Sequence, residues 1–429
     1  MTPDAAWTAL LAVFAPVFTA PSFALFANIA TAWVMCPGRR TITRIYLLAE
    51  PARERAHDAY HRFFREGAWD MDALWELLAG FLVSRFYPRN AIPLDLDDTL
   101  FHKSGRKVEG AAWWRDAVAS TGQKVVKALG MNLVVLTLRV NPPWGGEPIG
   151  MPVLVRLHTK NGPGLIDLAE EMLRTFAAWF PDRELHLTAD GFYAPLAGRR
   201  PTRCHLESRM RRDAALFEPA PPRNKGQRGR PRKRGDRLPT PEQLARQTKK
   251  WRLVDVDERG KIRKRLVASF TVLWYHVLPD APVRLVISRD PDGKEPDDFF
   301  FSTDVSDTSP TVVSRYAGRW SIEDTFKNTK QYLGGADPQL RVDPGPKRSA
   351  SFSLWLYSVV WTWYLQIYGA RRSWDPLPWY GTKRAPSFID ALAALRKVLW
   401  RHRVFSNSDI PSQSTKIINT LIHALAHAA

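Results

Sequence analysis

Cysteine is nearly missing from this chain: 429 residues carry two, Cys36 and Cys204. Two thiols so far apart argue against a disulfide framework or a cysteine-built zinc centre, and they fit a reducing cytosol. Acidic residues are scarce beside basic ones, 43 Asp and Glu against 62 Lys and Arg, which leaves a formal charge of +19. Such an imbalance points to a polyanionic partner, nucleic acid before membrane. Charge of either sign is absent from residues 5–38. That run lacks the basic segment that opens a signal peptide, and Pro16, Pro21 and Asn28 interrupt it. Buried helices of a soluble domain are therefore expected, not a leader or a membrane span. A second apolar stretch, 352–368, includes Ser358, Thr362 and Gln366 and reads as a core helix.

What is present falls into zones. Residues 1–90 have helical periodicity over 42–63 and 71–86, broken by Pro51 and Pro88, and their arginines make them a candidate DNA-binding domain. From 91 the pattern turns to strands at 92–97, 132–140 and 152–157, followed by an amphipathic helix at 165–180 and a fourth strand at 185–189. This predicts a mixed α/β sheet with helical cover over 91–215. Residues 216–310 interrupt the unit with a basic, Pro/Gly-rich loop and a small β subdomain. Helical pattern resumes over 311–370 and continues through a C-terminal region at 371–429. The basic excess is concentrated: residues 223–265 hold 17 basic and 5 acidic side chains, +12 of the total. Clustered cations neutralise neighbouring phosphates together and release their counterions.

Three sets of carboxylates stand out. In Leu94-Asp-Leu-Asp97-Asp98-Thr99 the acids sit where an apolar strand runs out, and acids at the edge of burial need something positive to hold them. Asp190 ends the fourth strand and precedes Gly191. Glu323 lies in a helical stretch where Tyr316, Arg319, Glu323, Lys327 and Lys330 recur at intervals of three or four and so share one face. Three such acids can hold two divalent ions that activate water on one side of a phosphodiester and stabilise the leaving oxygen on the other.

Tyr316, Arg319, Glu323 and Lys330 reproduce a Tyr-x2-Arg-x3-Glu-x6-Lys spacing without a gap, and on this the chain resembles the DDE transposases of bacterial insertion sequences. The resemblance implies an RNase H-like catalytic domain with a β-rich insertion between the second aspartate and the glutamate. It also implies Asp190 and Glu323 as metal ligands, with Asp97 or Asp98 as the first acid and Asp97 preferred. Two Mg²⁺ ions, or Mn²⁺ in their place, would serve cleavage at transposon ends and attack of the freed 3′-OH on target DNA. Double-stranded DNA is then the partner, a homodimer the synapsed form, and the bacterial cytoplasm, at the nucleoid, the place.

Phosphate contacts are expected from Tyr316, Arg319, Lys327 and Lys330, and from the insertion's Arg228, Arg230, Arg232, Lys233, Arg234, Lys249, Lys250 and Arg252. Of these, the run 228–234 resembles an AT-hook core, an arm that enters a narrow A·T minor groove. His102 and Lys103 are further candidates for phosphate. Two rivals compete. Asp95-Leu-Asp97-Asp98-Thr99 also resembles the nucleophile motif of haloacid-dehalogenase-type phosphatases, with Asp95 as nucleophile and Asp97 as acid, although the closely connected strands that follow disfavour the parallel sheet such an enzyme needs. The second rival is a transposase relative that binds DNA without cutting it.

Overall fold

The computed structural model describes residues 2–105, 107–221, 232–371, 374–375, 381–405 and 412–428. The charge-free run folds into α1 (Pro3–Ala12) and α2 (Ala20–Met35), each with a proline in its first turn, where a missing N–H breaks no bond. Three more helices follow: α3 (Ile42–Ala49), α4 (His57–Arg65) and α5 (Met71–Phe86). Next come β1 (Ile92–His102), β2 (Ala112–Arg115), β3 (Lys127–Val140), β4 (Ile149–His158), α6 (Leu165–Trp179), β5 (Leu185–Ala189) and β6 (Cys204–Arg209). The insertion contributes α7 (Pro241–Gln247), β7 (Arg252–Glu258), β8 (Lys261–Val272), β9 (Val283–Arg289) and β10 (Asp298–Ser302). The chain then continues through α8 (Ser309–Gly318), α9 (Ser321–Tyr332), α10 (Gly345–Tyr368), α11 (Phe388–Phe405) and α12 (Ser412–His427).

The strands run β4-β3-β1-β5-β6 across residues 92–209. Both pairs on the β4 side are antiparallel, and β1-β5 and β5-β6 are parallel. This is the RNase H-like order, and it brings the ends of β1 and β5 together. Neither β2 nor β6 stands out in the sequence, since both are short and rich in polar or aromatic side chains. The strands expected in the insertion join the main sheet. The insertion's β10 pairs with the free edge of β6, and β9, β8 and β7 continue the same sheet. An uncovered β6 edge would expose unpaired backbone groups, and β10 satisfies them.

Helix α10 is buried from Ser349 to Leu365. One side meets the sheet, where Ser358 Oγ donates to Pro152 O at 2.8 Å. The other receives α2, with Phe26 and Trp33 against Phe352 at ring separations of 5.9 and 5.5 Å. Trp33 also donates its indole N–H to Leu333 O at 2.8 Å. The N-terminal helices and the sheet therefore share one hydrophobic core. Among the described residues no helix is long and apolar enough to cross a membrane. Arg40, one of the arginines of the N-terminal zone, is 2% exposed and turns its guanidinium inward, with Nη1 donating to Gly38 O.

Candidate active site

Because side chains alternate along a strand, β1 sends Asp95 and Asp97 to one face and Asp98 to the other. Asp95 is fully buried and accepts from Arg139 Nε at 3.0 Å, from Arg139 Nη2, and from Ser321 Oγ at 3.3 Å. An acid locked this way cannot attack phosphorus, so the phosphatase reading fails at its nucleophile; the antiparallel β1-β3 pair contradicts its sheet as well. Two residues on, Asp97 Oδ2 accepts from Arg319 Nη1 at 2.6 Å. Asp98 accepts from the Tyr193 hydroxyl at 3.0 Å. Asp190 follows the last β1-β5 register pair, Leu96 with Ala189, which sets it beside Asp97. Its own carboxylate caps the next turn through Phe192 N at 3.0 Å.

Glu323 does not lie on one unbroken helix with Tyr316, as the periodicity suggests. Between α8 and α9 the backbone of Arg319 and Trp320 stays right-handed, but the bonds contract to i→i+3: Arg319 N to Tyr316 O, Trp320 N to Ala317 O, and Glu323 N to Trp320 O. The junction is held from beneath. A side chain on Gly318 would come within 2.9 Å of the Arg139 guanidinium, and Ser321 reaches Asp95. At this bend Arg319, 8% exposed, spans two acids, with Nη1 on Asp97 and Nη2 on Glu323 Oε1 at 3.1 Å.

The site is short of positive charge despite that arginine. Burial pushes the Asp97 carboxyl up to about 7; Arg319 opposes the shift, while Asp190 and Asp98 add to it. Burial raises Asp98 as well, with Asp190 adding to the shift, and burial likewise raises Glu323, against which Arg319 again works. Among the described residues, the oxygens of Asp97, Asp190 and Glu323 do not all fall within 4.8 Å of one another.

The other expected residues scatter around this centre. Tyr316 packs in a tilted contact with Phe300, ring centroids 4.7 Å apart, and its ring lies 5.6 Å from the Arg319 guanidinium. Lys330 is half-buried, 5.9 Å from the Phe101 ring, and Lys327 is exposed. Lys249, Lys250 and Arg252 line a groove of about 710 Å³ together with Trp251 and Arg284. Arg232 and Lys233 are exposed, whereas Arg234 lies over the rings of Phe217 and Tyr275 at 4.2 and 4.8 Å. Arg228 and Arg230 fall outside the described residues. Lys103 is buried and donates to Ala336 O and Pro338 O, which removes it from any phosphate, and His102 is bonded to Asp116.

Comparison with known proteins settles the family. The model of the DDE superfamily endonucleases matches residues 14–275. The chain belongs to this family. The match takes in Asp97, Asp98 and Asp190 of the endonuclease and stops before Glu323. No curated protein matches the chain. Among solved structures, that of the piggyBac transposase synaptic complex with hairpin DNA is similar at 11% identity, covering 94% of this chain and 76% of that one with a TM-score of 0.40.

Family membership implies dependence on a divalent metal, and the donors present fit one. Asp97, Asp98, Asp190 and Glu323 offer only hard carboxylate oxygens, and the raised Asp97 carboxyl marks a cluster that a cation would relieve. Three residues of this endonuclease escaped the sequence reading: Arg139, Tyr193 and Arg259. Arg139 left a signal, being a lone charge inside the apolar run 132–140. Arg259, at the tip of the β7-β8 hairpin, lies 5.0 Å from the Trp320 ring and pairs with Glu147 and, at 3.8 Å, with Asp324. Nothing in its local sequence distinguishes it from its basic neighbours.

Proposed function

We propose that this endonuclease is a DNA transposase that cleaves transposon ends and joins the freed 3′-OH to target DNA. The observation that carries the reading is the Arg319 bridge, which joins Asp97 of β1 to Glu323 of α9, with Asp190 next to Asp97 just after β5. Asp97, Asp190 and Glu323 would hold two Mg²⁺ ions, with Asp98, held by Tyr193, as the alternative first ligand. When bound, the ions supply an activated water and charge neutralisation at the leaving oxygen.

The remaining work is positioning. Arg319 already brings to Asp97 and Glu323 the positive charge a bound cation would bring, and on loading its planar fork is suited to a DNA phosphate instead. Tyr316 limits the guanidinium on one side, and Lys330 adds a second cation one helical face along. Lys249, Lys250 and Arg252 extend the track over the insertion and steer the duplex through its phosphates. Two ends held for joining require two copies of the chain, so a homodimer on DNA is part of the proposal, as is work on the chromosome in the cytoplasm.

The test is cleavage of end-labelled duplexes taken from the DNA that flanks the coding sequence, with Mg²⁺ and with chelator. Metal-dependent nicking that Glu323→Gln abolishes is the expected result. Nicking retained in that variant sinks the proposal, and binding with no nicking in either condition favours the non-cleaving relative.

A further inference from the structure

Among the described residues, one cluster of metal-ligating side chains lies outside the carboxylate centre. His423 and His427 stand four residues apart on α12 and so project from the same side of it, with ring centroids 4.4 Å apart. Asp375, in the segment that follows α10, lies against them. Its Oδ2 is 3.6 Å from His423 Nδ1 and 3.8 Å from His427 Nε2. One ligand atom from each of the three residues falls within 4.8 Å of the others.

A second observation concerns the proton on His427. Its Nδ1 is 2.9 Å from the backbone oxygen of His423, and a carbonyl can only accept. Nδ1 therefore carries the hydrogen, and in the neutral ring Nε2 keeps its lone pair on the side that faces Asp375. Fixing the tautomer through an outer hydrogen bond to a carbonyl is how proteins orient a ligating imidazole. Lys397 of α11 also approaches Asp375, at 3.3 and 3.4 Å from its two oxygens. Both partners of that pair are more than a third exposed, which makes it weak and replaceable.

We propose that Asp375, His423 and His427 form a binding site for a divalent transition-metal ion, best matched by Zn²⁺, with a fourth position open to water. Two imidazole nitrogens and one carboxylate suit a borderline ion, unlike the all-oxygen donors at Asp97 that suit a hard one. A bound ion would tie α12 to the segment after α10 and displace Lys397 from Asp375. The site thus fastens the C-terminal helix to the catalytic unit independently of cleavage.

The untagged full-length chain, stripped with chelator, is titrated with Zn²⁺ against a chromophoric competitor. A site is expected that survives Glu323→Gln and weakens by at least about tenfold in His427→Ala and in Asp375→Asn. Lys397→Met should bind more tightly, because the competing cation is gone. Visible absorption of Co²⁺ at the same site should disappear in His423→Gln, a reading that holds even if His427→Ala does not fold. Unchanged Zn²⁺ affinity in His427→Ala, or an unchanged Co²⁺ spectrum in His423→Gln, overturns the assignment.

Discussion

A single side chain, Arg319, decides how the acids of this endonuclease stand. Glu323→Gln removes an ion pair whose acid is partly exposed and leaves Arg319 bound to Asp97, so stability should change by less than about 1 kcal/mol while DNA cleavage is lost. Urea unfolding run beside the cleavage assay separates the two effects. Asp95 is the opposite case, an acid near the site with a structural duty. Asp95→Ala leaves the Arg139 guanidinium buried without its counter-charge, and a loss of about 3 to 5 kcal/mol in unfolding free energy is expected. Lys103 gives a pH signature. Burial pulls its ammonium down from 10.5 to about 8. Between those values the unfolded chain binds the extra proton, so this residue's contribution to stability rises with pH across that window and is flat below it. Relative to Lys103→Met, the protein should gain about 2 kcal/mol between pH 8 and pH 10 in urea melts.

Elements of the insertion meet the catalytic unit at a hairpin tip. The β7-β8 turn places Gly260 at a φ of +78°, and a side chain there would come within 2.3 Å of the Gly146 backbone. Only glycine allows both the left-handed backbone and this approach. Arg259 beside it closes the contact on Glu147 and Trp320. Gly260→Val should therefore release the tip, read as faster limited proteolysis near residues 258–261 with cleavage by trypsin at Arg259, while the sheet stays folded. The helices and strands that carry the acids were legible beforehand because their apolar periodicity is local: 92–97, 132–140 and 185–189 became strands, and the pattern resuming at 311 became helices. The bend at Arg319 and Trp320 was not. Both residues keep right-handed helical angles, and the groups packed under the bend, Arg139 and Asp95, come from more than a hundred residues earlier.

The molecule as a whole is strongly basic, but its charges are not equally available. Arg265 and Arg263 pair with Glu258 and Glu295, and Arg246 with Glu242. Lys249, Lys250 and Arg252 face the groove instead. Replacing these three by alanine should weaken binding to any duplex and make the plot of log affinity against log salt shallower by about 2 to 3, measured by fluorescence anisotropy. A variant with unchanged slope would move the DNA track elsewhere. The same scale explains why the place of the insertion's strands in the sheet was not legible. A strand's partner is chosen by whichever edge lies open in space, and the open edge of β6 could not be foreseen when β6 itself was not.

By itself the sequence determined the chemistry on offer: acids at two strand ends, the Tyr316, Arg319, Glu323 and Lys330 spacing, a basic insertion, and apolar runs that had to be buried. Periodicity and composition are local properties, and they survive folding. Only the tertiary structure decided that Asp95 is a buried partner of Arg139 while Asp97 meets Arg319, that Lys103 is spent on two carbonyls, and that the insertion prolongs the sheet. Those outcomes depend on which charges are brought together once water is removed, and distance along the chain carries no record of that.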